Sequence, residues 1–235
     1  MSIKRKLLAV AATLIIAAGV FTVGTASAGA ATPECASGCI SISIFSRELG
    51  SYGEPNAAEA VLGGVAEVGQ PVILAPASTS DLSQHFLPRA PGGGKVSDFY
   101  AAGLVSAELN SRYGHLMAAQ IEYAPLGDAS GLCAGLAKTA FQGQGLTLQP
   151  CSVPGRTVWI ADAAILPTPP PAGYFPIVSG STRDFSRPFA MHYPRDQQAT
   201  DRRLQQIEVR RLQFRSHTQT VPDRQLWGAH FGVLP

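Results

Sequence analysis

The sequence predicts an all-β domain, stapled by disulfides and built from three related units, and three observations predict it. First, the stretch from Leu132 to Trp159 holds two cysteines, an alternating apolar and polar run, and a closing tryptophan. Second, that stretch has an earlier copy: Gly69 to Pro76 aligns without a gap on Gly143 to Pro150 at an offset of 74 (143 − 69), repeating Gly, Gln, Leu and Pro in place. Third, short triplets end on a large ring at Gln84-His-Phe86, Thr157-Val-Trp159 and Gln225-Leu-Trp227, with Leu212-Gln-Phe214 a weaker echo before the last. Repetition of this kind marks supersecondary units that bury their apolar faces only against one another. Threefold pseudo-symmetry is the expectation.

Cys133, the Leu-x-Pro-Cys of Leu148 to Cys151, and the triplets ending at Phe86, Trp159 and Trp227 resemble the cysteine pair and Gln-x-Trp repeats of ricin-type β-trefoil lectins. Only the third triplet is intact, since Thr157 replaces Gln in the second and Phe86 replaces Trp in the first. The resemblance runs from about Ile40 to the end. It implies a six-stranded barrel capped by three hairpins, with Phe86, Trp159 and Trp227 as structural core and sugar binding as the usual activity. Burying one such ring removes roughly 150–250 Å² from water, an upper-bound gain of about 4–6 kcal/mol.

Taken in order, residues 1–28 read as a signal peptide: Lys4-Arg5-Lys6 is the charged region, Leu7 to Val23 the apolar one, and Ala26-Ser27-Ala28 the cleavage site. An uncleaved anchor is the rival reading, against which the alanine-rich run and its small-residue end both speak. The mature chain is expected to be secreted and extracellular, without stable membrane insertion. Residues 29–39 form an N-terminal segment holding Cys35 and Cys39. Four cysteines in an oxidising compartment predict two disulfides. Spacing pairs Cys35 with Cys39 and Cys133 with Cys151, the latter closing a hairpin-like unit. A metal or redox role for Cys35 and Cys39 lacks a second Cys/His pair nearby.

The trefoil is expected over residues 40–235, in units of about 40–90, 96–166 and 172–235. Ile40-Ser-Ile-Ser-Ile44 alternates strictly and predicts the opening strand. Pro88 to Lys95 superficially suggests a phosphate loop, but Arg89 and Val96 break the pattern, leaving a linker. Between Phe99 and Tyr123, where Ala101 to Leu109 also fits a helical turn or two, strands are expected. Gln120-Ile-Glu-Tyr123 alternates there. Val158 to Ile160 and Ala163 to Leu166 extend the second unit to a stiff connector at Pro167 to Pro171. Tyr174 to Val178 and Phe189 to Tyr193 open the third. Between Asp201 and Arg215, Ile207 with Val209 and Leu212 with Phe214 fit two strand segments, their arginines forming a solvated face or meeting an acidic glycan. Gln225 to Leu234 should close the barrel.

Net charge is +2 with 14% charged residues, no electrostatic footprint for nucleic acid. No Gly-x-Ser-x-Gly, His-Glu-x-x-His or intact phosphate loop occurs. His85, His115, His192, His217 and His230 are scattered; His85 and His230 flank expected core rings and read as packing or rim residues. Asp128, Asp162, Asp184 and Glu122 supply carboxylates for sugar hydrolysis only if the fold opposes two of them. No catalytic residue, metal site or cofactor is expected.

The resemblance places an acidic acceptor two residues after the first cysteine, an aromatic before Pro-Cys, and an Asn before Gln-x-Trp. These positions hold Gly135, Gln149 and Arg156 in the second unit, and Gly64, Ala75 and Ser83 in the first. Candidate ligand residues are therefore Ser83, Gln84, Gln149 and Arg156. The functional expectation is a secreted, non-catalytic, lectin-like binding protein for a carbohydrate or other extracellular surface, with glycan or extracellular protein as partner. Alternatives are a trefoil-type protease inhibitor presenting Pro88 to Lys95, and a secreted hydrolase.

Overall fold

Alternating runs become strands wherever both faces find a partner, and twelve strands of three residues or more result among the described residues. They belong to a computed structural model that describes residues 40–51, 54–55, 57–165, 173–194, 205–214 and 220–233. The signal peptide, Cys35, Cys39, His217 and the Pro167 to Pro171 run lie outside the described residues. The first unit contains β1 (Ile40–Ser46), β2 (Ala57–Val61), β3 (Val72–Pro76) and β4 (Phe86–Arg89). The second contains β5 (Ala118–Tyr123), β6 (Leu132–Gly135), β7 (Thr147–Pro150) and β8 (Trp159–Ala161). The third contains β9 (Ile177–Ser179), β10 (Phe189–His192), β11 (Glu208–Arg211) and β12 (Trp227–Val233).

In each unit the middle two strands form an antiparallel hairpin: β2 with β3, β6 with β7, and β10 with β11. The outer strands close a ring. β12 pairs with β1, β4 with β5, β5 with β8, and β8 with β9, while β1 lies beside β4. A short strand just before β9, Tyr174–Phe175, completes the circuit against β12. The three hairpins meet on the axis through a closed triangle of backbone hydrogen bonds. Val72 N–H donates to Leu146 O (3.0 Å), Leu146 N–H to Ile207 O (2.6 Å), and Ile207 N–H to Val72 O (2.9 Å). Six barrel strands under three hairpins on a pseudo-threefold axis make this all-β domain a β-trefoil.

Its interior is layered. Phe86, Trp159 and Trp227 lie in one buried cluster, each first in the fourth strand of its unit. Trp159 Nε1–H donates to Ala134 O (2.8 Å) and Trp227 Nε1–H to Met191 O (3.0 Å), so the buried indoles satisfy their only polar group. The strand registers align Ile44, Ile121 and Ile177 as the next layer, two residues before the partners Ser46, Tyr123 and Ser179 of the three rings. Cys133 and Cys151 are disulfide-bonded, with Cα atoms 5.0 Å apart, and clip the second hairpin.

The Gln of each triplet is a clamp. Gln84 donates to Pro76 O (2.7 Å) and accepts from Ser78 N–H (2.9 Å); Gln225 donates to Arg211 O (3.1 Å) and accepts from Gln213 N–H (2.8 Å). Both tie the end of the hairpin to the barrel across the same two-residue span. Thr157 is too short for this, and Gln120 of β5 takes over, donating to Thr157 Oγ1 (2.7 Å) and to Cys151 O.

Four expectations are corrected. Phe99 to Tyr123 is not all strand: α1 (Val96–Ala101) and α2 (Ala107–Tyr113) precede β5. Ser106 Oγ accepts Leu109 N–H as an N-cap, and Val96, Phe99, Leu109 and Tyr113 pack with Phe45, Ile160 and Val178 in a second cluster. An i, i+3, i+4 stripe thus covers the outer barrel wall, a partner the local pattern does not reveal. Ala163–Ile165 is a 3₁₀ turn, and Leu212 to Phe214 leaves the sheet after β11. Finally, Gly64 is not the counterpart of Gly135. Gly135 pairs with Thr147 as Ala60 pairs with Ile73, so the equivalent offset is 75 (135 − 60), and Gly64 lies in the hairpin loop.

Candidate functional site

Ladder registers define equivalent positions in the three lobes. Ala60, Gly135 and His192 face Ile73, Thr147 and Glu208, and form one set. Ala75, Gln149 and Arg210 form the next, followed by Ser83, Arg156 and Arg224, each just before its clamp residue.

The first lobe offers little at these positions. Ala60 and Ala75 are apolar and buried. Gln84 is consumed by its clamp, and Ser83 serves a turn in which its N–H donates to Asp81 Oδ1 (3.0 Å). The Ser83 hydroxyl bond is the main reason that the Asp81 carboxyl is held below the usual range.

In the second lobe a side chain at position 135 is sterically excluded. A β-carbon on Gly135 would meet Arg156 O and Thr157 Cγ2, both at 2.8 Å. No acidic acceptor fits there. Gln149 is buried, with its amide donating to Thr147 Oγ1 (2.9 Å), and Arg156 donates to Ala137 O. The four candidates thus fall in two lobes, Ser83 with Gln84 and Gln149 with Arg156, each engaged in the protein's own structure.

The third lobe differs. His192 is 7% exposed, and its Nδ1 has no hydrogen-bond partner among the described residues. Burial first, then the positive charges of Arg210 and Arg224, lower its pKa to about 4. At neutral pH the imidazole is uncharged, so its 4.0 Å approach to Glu208 Oε1 is not an ion pair. Glu208 instead pairs with Arg210 Nε. Arg224 is half-buried, and its carbonyl accepts Tyr193 N–H (2.9 Å), which holds the residue beside the end of β10. Two guanidinium groups, one of them paired with the Glu208 carboxylate, and an uncharged imidazole can bind an anion and hydrogen-bond to its hydroxyls. Sequence reasoning offered the arginines of the Asp201 to Arg215 stretch, Arg210 among them, as a solvated face or as partners of an acidic glycan, but missed His192, Glu208 and Arg224 and the grouping itself. The signal was available in the intact Gln225-Leu-Trp227, since the preceding residue is Arg224, but the other two positions depend on the register of β10 against β11.

Other expectations resolve by placement. Glu122 is buried, pairs with Arg89 (3.4 Å) and accepts Gly131 N–H (2.8 Å). Asp184 accepts from Ser186 and Arg187 and pairs with Arg211, whose guanidinium lies 4.6 Å from the Phe189 ring centre. Asp162 is buried and Asp128 exposed. His85 is buried, whereas His115 and His230 are exposed. Among the described residues no group of three or more His, Cys, Asp or Glu is placed to hold a metal, and no helix is long and apolar enough to cross a membrane. Pro88 to Lys95 runs from a strand end into an exposed turn. Pro88 and Arg89 belong to β4, and Asp98 Oδ2 gathers the N–H groups of Gly93 (3.0 Å) and Lys95 (3.1 Å) into a tight turn.

One buried acid was also missed. Glu59, in the Ala-Ala-Glu-Ala-Val of β2, is 2% exposed, accepts Ile44 N–H through Oε2, and has no partner for Oε1 among the described residues. Burial holds its carboxyl well above the usual carboxylate range, opposed by the Ile44 bond.

No family model matches the chain, and no curated protein matches it. Among solved structures it is similar to ThreeFoil, a designed 3-fold symmetric protein, at 13% identity over 80% of this chain and 96% of that one, with a TM-score of 0.49. It is also similar to 1,3Gal43A, an exo-β-1,3-galactanase from Clostridium thermocellum, at 12% identity over 80% of this chain, with a TM-score of 0.49. A mosquitocidal holotoxin aligns at 11% identity over 82% of this chain, with a TM-score of 0.46. The chain spans only 29% of the galactanase and 17% of the toxin.

Proposed function

We propose that the protein is a non-catalytic binding protein, exported and cleaved after about Ala28, whose third lobe takes an acidic carbohydrate at an extracellular surface. The observation that carries this reading is the group formed by His192, Glu208, Arg210 and Arg224 at the lobe positions that are bare or closed in the other two. A uronate or sialate carboxylate would pair with the guanidinium groups, and neighbouring sugar hydroxyls would donate to the imidazole and to Glu208. The absence of an aromatic platform at position 210 favours charge over ring stacking as the selecting force. Secretion rests on the segment before residue 29, and membership among ricin-type lectins rests on the triplets and the cysteine pair.

A glycan array comparing acidic with neutral saccharides tests the reading, followed by titration of the best binder. Binding confined to acidic glycans, weakened by salt and reduced at least tenfold in an Arg210→Ala/Arg224→Ala variant of unchanged melting temperature, is expected. An array blank at high protein concentration removes the carbohydrate ligand, and equal binding by the double variant removes the third lobe.

A further inference from the structure

The described side chains leave the end of the barrel away from the hairpins open. Below the ring layer, Ile44, Ile121 and Ile177 fill the interior. Two residues further toward the end away from the hairpins, the registers bring together Ile42, Ala119 and Phe175, and β8 and β12 contribute Ala161 and Ala229. Three of these five are alanines. The result is a cavity of about 430 Å³ whose lining is mostly apolar, floored by the isoleucines and Trp159. Met117 (54% exposed) and Phe231 (58% exposed) stand at its rim.

A small β-barrel is either filled by its side chains or wide enough to hold one small ligand. An apolar cavity of roughly 150 Å³ already stays dry and takes up benzene, so this one has nearly three times the room. The one side-chain N–H among its described lining residues, the Trp159 indole, is already given to Ala134 O, so water entering the cavity would find no free side-chain partner there. Any charged or hydrogen-bonding head must remain outside the mouth.

We infer that the open end of the barrel is a binding site for a hydrocarbon chain, of the kind carried by a fatty acid or acyl lipid, held by its apolar part alone with the head group in water. None of His192, Glu208, Arg210 and Arg224 lines the cavity, so the site is independent of the acidic-carbohydrate reading. Affinity rises with chain length until the cavity is full, because each buried methylene contributes about the same increment, a factor of roughly 4. Met117 can follow occupants of different width, since its thioether chain is flexible.

The test uses the mature full-length chain and saturated fatty acids of increasing length, all below their micellar concentrations, competing with a fluorescent acyl probe. Naphthalene serves as a head-free ring of similar bulk. Saturable one-to-one binding that strengthens with length and then levels off supports the inference, as does its loss, by at least tenfold, in an Ala161→Phe variant that melts no lower than the parent. A second filling variant, Ala229→Phe, covers the case in which the first fails to fold. Absence of saturable binding to the full chain overturns the site. Undiminished binding in a folded filling variant places the probe elsewhere and overturns it equally, and tight naphthalene binding without any acyl binding overturns the assigned chemistry.

Discussion

Glu59 and His192 are buried titratable groups on equivalent hairpins, and they push stability in opposite directions with pH. The Glu59 carboxyl is raised above its ordinary value, so its contribution is complete below about pH 4.5 and is lost as pH rises. The His192 imidazole is lowered from 6.5 to about 4, so its contribution is present above pH 6.5 and is lost as pH falls toward 4. Between those limits the two slopes oppose. Glu59→Gln keeps the volume and an acceptor for Ile44 N–H while abolishing the titration. Its expected effect is a gain on the order of 1–3 kcal/mol at pH 8 and little at pH 4. His192→Asn should retain more stability at pH 5, relative to pH 7, than the parent does. Denaturant melts across pH 4–8 check both, and curves parallel to the parent's count against both assignments.

At the scale of elements, hairpins are tied to the barrel by bonds that cross from one strand pair to another. Gln84 and Gln225 do so in the outer units, and the Gln120–Thr157 arrangement does so in the second, where Cys133–Cys151 adds a covalent tie. That disulfide spans 18 residues, and loss of a loop of such length costs about 3 kcal/mol on the chain-entropy account. Cys133→Ala/Cys151→Ala should be less stable by that amount and lose the sensitivity of this step to reductant, as read by melting with and without dithiothreitol. The helices α1 and α2 act differently. They cover the outward faces of Ile160 and Val178, which is why the barrel wall between them is buried on both sides.

For the whole molecule, three units pool their rings and close on one triangle of backbone bonds at Val72, Leu146 and Ile207. Truncating one ring therefore weakens every unit. Trp159→Ala should cost about 3–5 kcal/mol and leave Ala134 O without its indole donor. At this chain size the melting temperature falls by roughly 10 °C in a single transition. Calorimetry checks it: a separate low-temperature step for the second unit alone would mean that the three units do not share one core. The molecule also has unlike ends. The hairpin side carries the third-lobe charges, whereas the opposite end of the barrel is lined by apolar side chains.

The repeat at Gly69 and Gly143, the cysteine pair of the second unit and the three ring-ended triplets are legible in the chain because each lies within a few consecutive residues whose spacing is set locally. Alternation at Ile40 to Ile44 marks β1 for the same reason. What only the tertiary structure decided involves residues brought together from separate units or set by register. The helical stripe from Val96 to Tyr113 required the barrel wall as its partner, and the equivalence of Ala60, rather than Gly64, with Gly135 required the ladder, since hairpin loops of unequal length blur the repeat. His192, Arg210 and Arg224 become one group only when β10, β11 and the turn before β12 pack, because charges act through distance in space and not along the chain.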